Sequence, residues 1–199
     1  MNWLEVLDRD FVLFVNGFHS PFLDEFMWFF SQTISLLPLF LLVFFFLFKE
    51  YAIKEFLLIF VLFALSLFLT DFLSVHLFKE VFQRLRPSHN PIIQDYLHYY
   101  KQADGTFYRG GDFGFISSHS ANYFGLFAFI VPFFYNKRNW LLFLLFFIGL
   151  IVVISRIYLG VHYFSDIAAG AAFGALIGSL IYLLFRFSVK KSWKFNKDL

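Results

Sequence analysis

Apolar residues run along the chain in long blocks, and five blocks approach the roughly 20 residues that a membrane helix requires. They predict spans over about Phe26–Phe48, Phe56–Phe78, Ser118–Tyr135, Trp140–Leu159 and Tyr163–Phe187. Ahead of them Leu4, Leu7, Phe11, Phe14 and Phe18 recur at helical spacing among Glu5, Asp8, Arg9 and Asp10. This pattern predicts an amphipathic helix within residues 1–20, lying in the interface and ended by Asn16-Gly17 and the Ser20-Pro21 turn. It has neither the basic start nor the small-residue cleavage site of a signal peptide, so it is expected to stay on. The expected fold class is all-α, a single polytopic bundle over residues 1–199 with five spans and this interfacial helix.

Composition sharpens the pattern. Of 199 residues, 60% are hydrophobic and only 15% charged, where a soluble domain carries about 25% charge. Soluble globular and disordered chains are excluded on that count. The 35 phenylalanines sit mostly in the apolar blocks, as in Phe44-Phe45-Phe46, and say where the protein lives rather than what it does. A net charge of +2 on scattered basic residues gives no footprint for nucleic acid. There is no cysteine, so disulfide and thiol chemistry are absent.

Charge also orients the chain. With five spans, the loops at 49–55 and 136–139 and the basic tail at 188–199 share one side. Together with Arg186 they hold nine Lys and Arg against seven opposite. Three of those seven carry a chemical role below, which leaves nine against four and predicts a cytoplasmic C-terminus. The loop at 79–117 then faces outward. Its stretch from Lys79 to Asp112 carries nine of the 30 charged residues, and polar loops this long tend to be functional.

Charges beside membrane helices are costly and need an explanation. Three clusters stand at the outward ends of spans: Lys79 with Arg86-Pro87; Ile116-Ser117-Ser118-His119; and Ser155-Arg156 with His162 and Asp166. Singly each has an ordinary reading: interface anchors, a helix N-cap, and a hydrogen-bonded pair one turn apart. Together they supply one set of parts for phosphoryl transfer. Lys79, Arg86 and Arg156 are cations for phosphate oxygens. Ser117 and Ser118 open a helix whose first N–H groups favour an anion. His162 is a nitrogen nucleophile, Asp166 one turn on can fix its tautomer, and His119 can protonate a leaving oxygen. No spacing typical of a metal site occurs, so a mechanism without metal or other cofactor is expected.

These motifs resemble the type 2 phosphatidic acid phosphatase superfamily, whose signature is Lys, six residues, Arg-Pro; then Pro-Ser-Gly-His; then Ser-Arg, five residues, His, three residues, Asp. The first and third parts stand intact, while Ile116 and Ser118 replace the Pro and Gly of the second. The resemblance implies a membrane lipid phosphatase without a metal. In it His162 would form a phosphohistidine oriented by Asp166, and His119 would serve as acid and then base. Lys79, Arg86, Arg156 and Ser117 would bind phosphate. Its fold and size suit a bacterial envelope enzyme of the cytoplasmic membrane with an outward site. The leading substrate expected is a polyprenyl diphosphate; phosphatidylglycerophosphate, phosphatidic acid and lipid A phosphates stay open. Alternatives of another kind are a proton- or ion-coupled transporter using Asp71, His76 and Asp166, and a catalytically dead lipid-phosphate binder. Outside the motifs, His89, His98, Arg109 and Asp112 are either substrate contacts or solvated loop. The steps Gly170, Gly174 and Gly178 form a small-residue seam, for packing within the bundle or for a second copy.

Overall fold

In a computed structural model that describes residues 3–195, the chain is a helical bundle with no strand among the described residues. Helix α1 covers Trp3–Asn16, α2 Pro21–Ser31, α3 Leu37–Glu50 and α4 Ile53–Leu73. A single turn, α5 (Glu80–Phe82), precedes the long loop, and α6 (Ser118–Phe134), α7 (Asn139–Tyr158) and α8 (Phe164–Phe195) complete the bundle. Four helical runs are long and apolar enough to cross a bilayer: Thr33–Glu50, Ile53–Phe82, Asn139–Tyr158 and Phe164–Val189. The fifth expected segment is present as α6, which has 17 residues and is packed among the others, with Phe129, Phe133 and Phe134 buried. The last four residues of the expected basic tail lie outside the described residues, and α8 runs on through its beginning.

The first expected span is not one helix. The apolar block from Phe26 to Phe48 breaks at Ser31, passes through a 3₁₀ turn at Thr33–Leu36 and restarts as α3. Pro38 gives the reason: its ring fits only the first turn of a helix, where no backbone donor is needed. Helix α2 becomes a separate element, with Pro21 in its first turn and the Ser20 hydroxyl accepting a hydrogen bond from the Leu23 N–H. It packs against α7.

Helix α1 faces the protein with its polar side. Asp8, Arg9, Val12 and Asn16 are buried, while Trp3, Leu7 and Phe14 are exposed. The outward apolar face suits a helix that lies on a membrane. Asn16 ties its end to two distant elements, donating to the Tyr158 and His98 carbonyls at 2.7 and 2.8 Å and accepting from the His98 N–H at 2.8 Å.

Helices α6 and α8 form the most extensive pair in the bundle. Their seam is built from glycine: a Cβ added at Gly174 would fall 2.0 Å from the Ala121 carbonyl oxygen, and one at Gly178 1.9 Å from that of Gly125. The stripe read from the sequence therefore packs within the bundle. At the far end of α4, residues Ser74–Lys79 wind as a π-helix, and Gln83 closes α5 with a left-handed φ of 46°. The wider turn shifts the helical phase before Lys79, changing the face on which that side chain leaves the helix.

Candidate active site

The three motif clusters converge at one end of the bundle, although they come from α4 and the loop, from the start of α6, and from the α7–α8 turn. Lys79 Nζ donates to Ser118 Oγ at 2.6 Å, and Ser118 Oγ also shares a hydrogen bond with Ser74 Oγ at 2.7 Å. The hydroxyl that replaces the glycine of the resembled motif thus anchors the lysine. Arg86 is held by backbone carbonyls, with Nε on Phe113 at 3.1 Å and a terminal nitrogen on Val161 at 3.4 Å. Arg156, 2% exposed, reaches the Tyr108 hydroxyl at 2.8 Å and bonds Ser31 Oγ at the break after α2. Its Nε is buried without a hydrogen-bond partner.

None of these three cations forms a salt bridge among the described residues. Burial, and next the charge of Arg156, push the affinity of Arg86 for its proton down from the usual guanidinium range. Buried cations are ordinarily paired. Three left unpaired beside one another make a site for an anion of more than one charge.

His162 sits in the turn between α7 and α8, 1% exposed. Its Nδ1 is 3.5 Å from Asp166 Oδ2 and makes no well-formed hydrogen bond, although the Gly114 backbone also approaches the ring. Burial, then the charges of Arg86, Arg156 and Lys79, hold His162 well below the ordinary imidazole value. It is therefore neutral near pH 7, the state in which a ring nitrogen can attack. Asp166 is fully buried; its Oδ2 accepts from the Tyr163 N–H at 2.9 Å and its Oδ1 from Arg84 at 2.7 Å. Ser117 caps α6, its hydroxyl accepting from the Ser120 N–H at 3.4 Å. The Ser117 N–H donates to the Asp166 carbonyl at 3.0 Å, joining the second and third motifs directly. His119, in the first turn of α6, lines a cleft of about 580 Å³ together with Ser118. Phe40, Phe63, Leu67 and Leu126 line it further down, so the cleft is apolar where α3, α4 and α6 face one another.

Other expectations resolve differently. His98 bonds Asp24 at 2.9 Å and stacks on His19, and Arg109 bonds the Tyr99 hydroxyl at 3.1 Å. His89 lies 3.6 Å from Asp112. All four loop residues have partners within the protein. His76 is exposed and bonds Glu80 at 2.9 Å, while Asp71 accepts from Asn122 at 3.2 Å in the cleft wall.

Sequence reasoning missed Arg84, Tyr108, Ser31 and two glycines. A Cβ on Gly110, whose φ is 70°, would fall 2.7 Å from the Arg86 guanidinium. One on Gly114 would fall 3.1 Å from Asp166 Oδ2. Backbone without side chain is what lets the loop close over the site. The Gly110-Gly111 pair and Gly114 were the available signal.

The fold and this charge pattern define a class: a multi-pass membrane hydrolase of lipid phosphate esters. The chain belongs to the PAP2 superfamily, which matches residues 55–190. A lipid A 4'-phosphatase of Porphyromonas gingivalis is 36% identical over 94% of this chain and 77% of its own length. That of Bacteroides thetaiotaomicron is 35% identical over 92% and 79%. A solved transmembrane PAP2-type phosphatidylglycerolphosphate phosphatase from Bacillus subtilis superposes with a TM-score of 0.63 at 23% identity, covering 96% of this chain and 88% of that one. LpxE of Aquifex aeolicus superposes with a TM-score of 0.59 at 22% identity, over 88% and 94%.

Proposed function

We propose that this protein hydrolyses a phosphate monoester on a lipid A-type glycolipid, using His162 as the nucleophile. The carrying observation is the placement of a buried, neutral His162 among three cations that no acid among the described residues pairs with. Lys79, Arg86 and Arg156 bind the phosphate, with help from the Ser117 hydroxyl. The His162 ring nitrogen away from Asp166 attacks phosphorus, and the bond to the sugar oxygen breaks. His119 gives that oxygen a proton, a step worth about 10²–10⁴ in such reactions. His119 then takes a proton from water as the water cleaves the phosphorus–nitrogen bond, and orthophosphate leaves. Ser118 acts on phosphate through Lys79. The apolar cleft beside His119 receives the lipid chains. No metal enters these steps, and no cluster of three His, Asp or Glu suited to one occurs among the described residues.

Two relatives named for lipid A favour that substrate over the polyprenyl diphosphate expected from the sequence. Phosphatidylglycerophosphate is the second candidate, on the strength of the Bacillus subtilis phosphatidylglycerophosphatase B, 28% identical over 60% of this chain. The bacterial relatives favour a bacterial cytoplasmic membrane, and the excess of basic residues favours the C-terminus inside and the site outward.

The test is phosphate release by detergent-purified protein from lipid A, phosphatidylglycerophosphate and a polyprenyl diphosphate, with and without EDTA. Lipid A should turn over fastest, EDTA should change nothing, and His162→Ala should be inactive. Turnover in His162→Ala would remove the nucleophile assignment, and loss in EDTA the metal-free chemistry. A label placed at Asp104 should react from outside intact cells; protection there would invert the topology.

A further inference from the structure

Between the two cations of the first motif stands a third, Arg84, with a different environment. One terminal nitrogen of its guanidinium donates to Asp166 Oδ1 at 2.7 Å and to Ser165 Oγ at 2.6 Å. The other donates to Asp8 Oδ2 at 2.8 Å. The guanidinium also lies over the Tyr163 ring, 4.2 Å from its centroid. Asp8, 6% exposed on α1, accepts in turn from the Ser165 N–H at 3.0 Å and from the Ser165 hydroxyl. It therefore caps the first turn of α8, the helix that carries Asp166.

We infer that Arg84 and Asp8 are positioning residues for the nucleophile, so that the N-terminal helix completes the active site. The inference rests on His162 being the nucleophile. A fully buried carboxylate requires a counter-charge and full hydrogen bonding. Arg84 supplies both on the side of Asp166 away from His162. Oδ1 is thereby committed to Arg84, which leaves Oδ2 for the Tyr163 N–H and for His162 Nδ1. Asp8 holds the opposite end of the guanidinium and fixes where α8 begins. The chain Asp8–Arg84–Asp166–His162 sets the ring orientation from a helix that touches no substrate.

Placement explains why the pair differs from the phosphate cations. Among the described residues Lys79, Arg86 and Arg156 have no acid partner, whereas Arg84 has two. Arg84 is neutralised and turned from the anion site, so its removal acts on attack rather than on binding.

The test compares Arg84→Met, Arg84→Lys and Asp8→Asn with Asn16→Ala, which frees the end of α1 and so reaches the chain of contacts only indirectly, through Asp8. Steady-state phosphate release gives kcat and KM, and competition by sulfate, a tetrahedral anion that takes no bond from the nucleophile, reports the phosphate pocket independently. In Arg84→Met, kcat should fall by about 10–100-fold, as for outer partners that orient a functional histidine. KM and sulfate inhibition should stay at wild-type values. Arg84→Lys should recover part of kcat, because an ammonium can reach Asp166 but cannot span to Asp8. Asp8→Asn should lose less than Arg84→Met. The loss should persist with p-nitrophenyl phosphate, whose leaving group needs no proton, since the affected step is attack.

Wild-type kcat in Arg84→Met, with His162→Ala inactive, would overturn the positioning role and spare the nucleophile. So would a kcat loss in Asn16→Ala larger than that in Arg84→Met, or a joint loss of kcat and sulfate inhibition in Arg84→Met. If Arg84→Met and Asp8→Asn fail to fold, Arg84→Lys decides: wild-type kcat there refutes the two-ended clamp. Activity in His162→Ala would instead refute the proposed nucleophile itself.

Discussion

The glycine seam between α6 and α8 offers the sharpest mechanical prediction. Those helices carry His119 and Asp166, so their separation sets the width of the site. A Cβ at Gly178 would lie 1.9 Å from the Gly125 carbonyl oxygen and 3.1 Å from the Phe129 nitrogen, both backbone atoms of α6. Relief to an ordinary carbon–oxygen contact of about 3.3 Å requires the helices to part by roughly 1.4 Å. No flexible side chain stands there to yield. Overpacking of a core typically costs about 1–3 kcal/mol, and backbone opposed to backbone belongs at the upper end. A misplacement of about 1 Å far from the chemistry can cost about 100-fold in rate. Gly178→Ala should therefore lower both the thermal midpoint and kcat, although it touches no site residue. Gly111→Ala is the control, because nothing lies within 4 Å of its added Cβ. Thermal unfolding in detergent and phosphate release measure the two effects. A Gly178→Ala protein with wild-type midpoint and wild-type kcat would refute the claim that this contact sets the helix separation.

Three further outcomes follow from other contacts. Ser118→Ala removes the hydroxyl that holds Lys79, so KM should rise by about fivefold for the loss of about 1 kcal/mol, with Ser118→Gly behaving alike. Asn16→Ala loses three hydrogen bonds linking α1, the loop and α7, and should lower stability by about 1–3 kcal/mol in chemical unfolding. His162 is held below its unfolded value, so its share of stability is present above about pH 6.5 and falls as pH drops toward the folded value, by at most about 1.4 kcal/mol per pH unit. His162→Gln, which does not titrate, should flatten the fall in thermal midpoint below that pH; an unchanged slope would contradict the burial argument.

The parts of the site legible in the sequence were those carried by spacing. Lys79 and Arg86-Pro87, Ser117 and His119, and Arg156, His162 and Asp166 stand out because charge is scarce and each lies at the end of an apolar block. Arg84 was invisible for the same reason. Beside two other cations it reads as one more interface anchor, and only the fold brings Asp8 across 76 residues to meet it. The break after Ser31 was signalled by Pro38 but masked by hydrophobicity on both sides, which makes two helices look like one span. The role of Ser118 was also out of reach. Whether a hydroxyl meets phosphate or lysine depends on the helical phase entering Lys79, and the π-helical turn that sets it leaves no periodic mark.

Helix α1 presents Asp8 and Arg9 to the protein and Trp3, Leu7 and Phe14 outward, the reverse of a helix on a water-soluble enzyme. Lipid is the natural partner of such an apolar face, and a bilayer lying against it would help to keep Asp8 in place. Solvent choice then becomes a variable in the chemistry. A short-chain detergent that covers α1 poorly should lower kcat to about the level of Asp8→Asn while circular dichroism still reports an intact bundle. Returning lipid should restore turnover without refolding, because only one peripheral helix has to settle back.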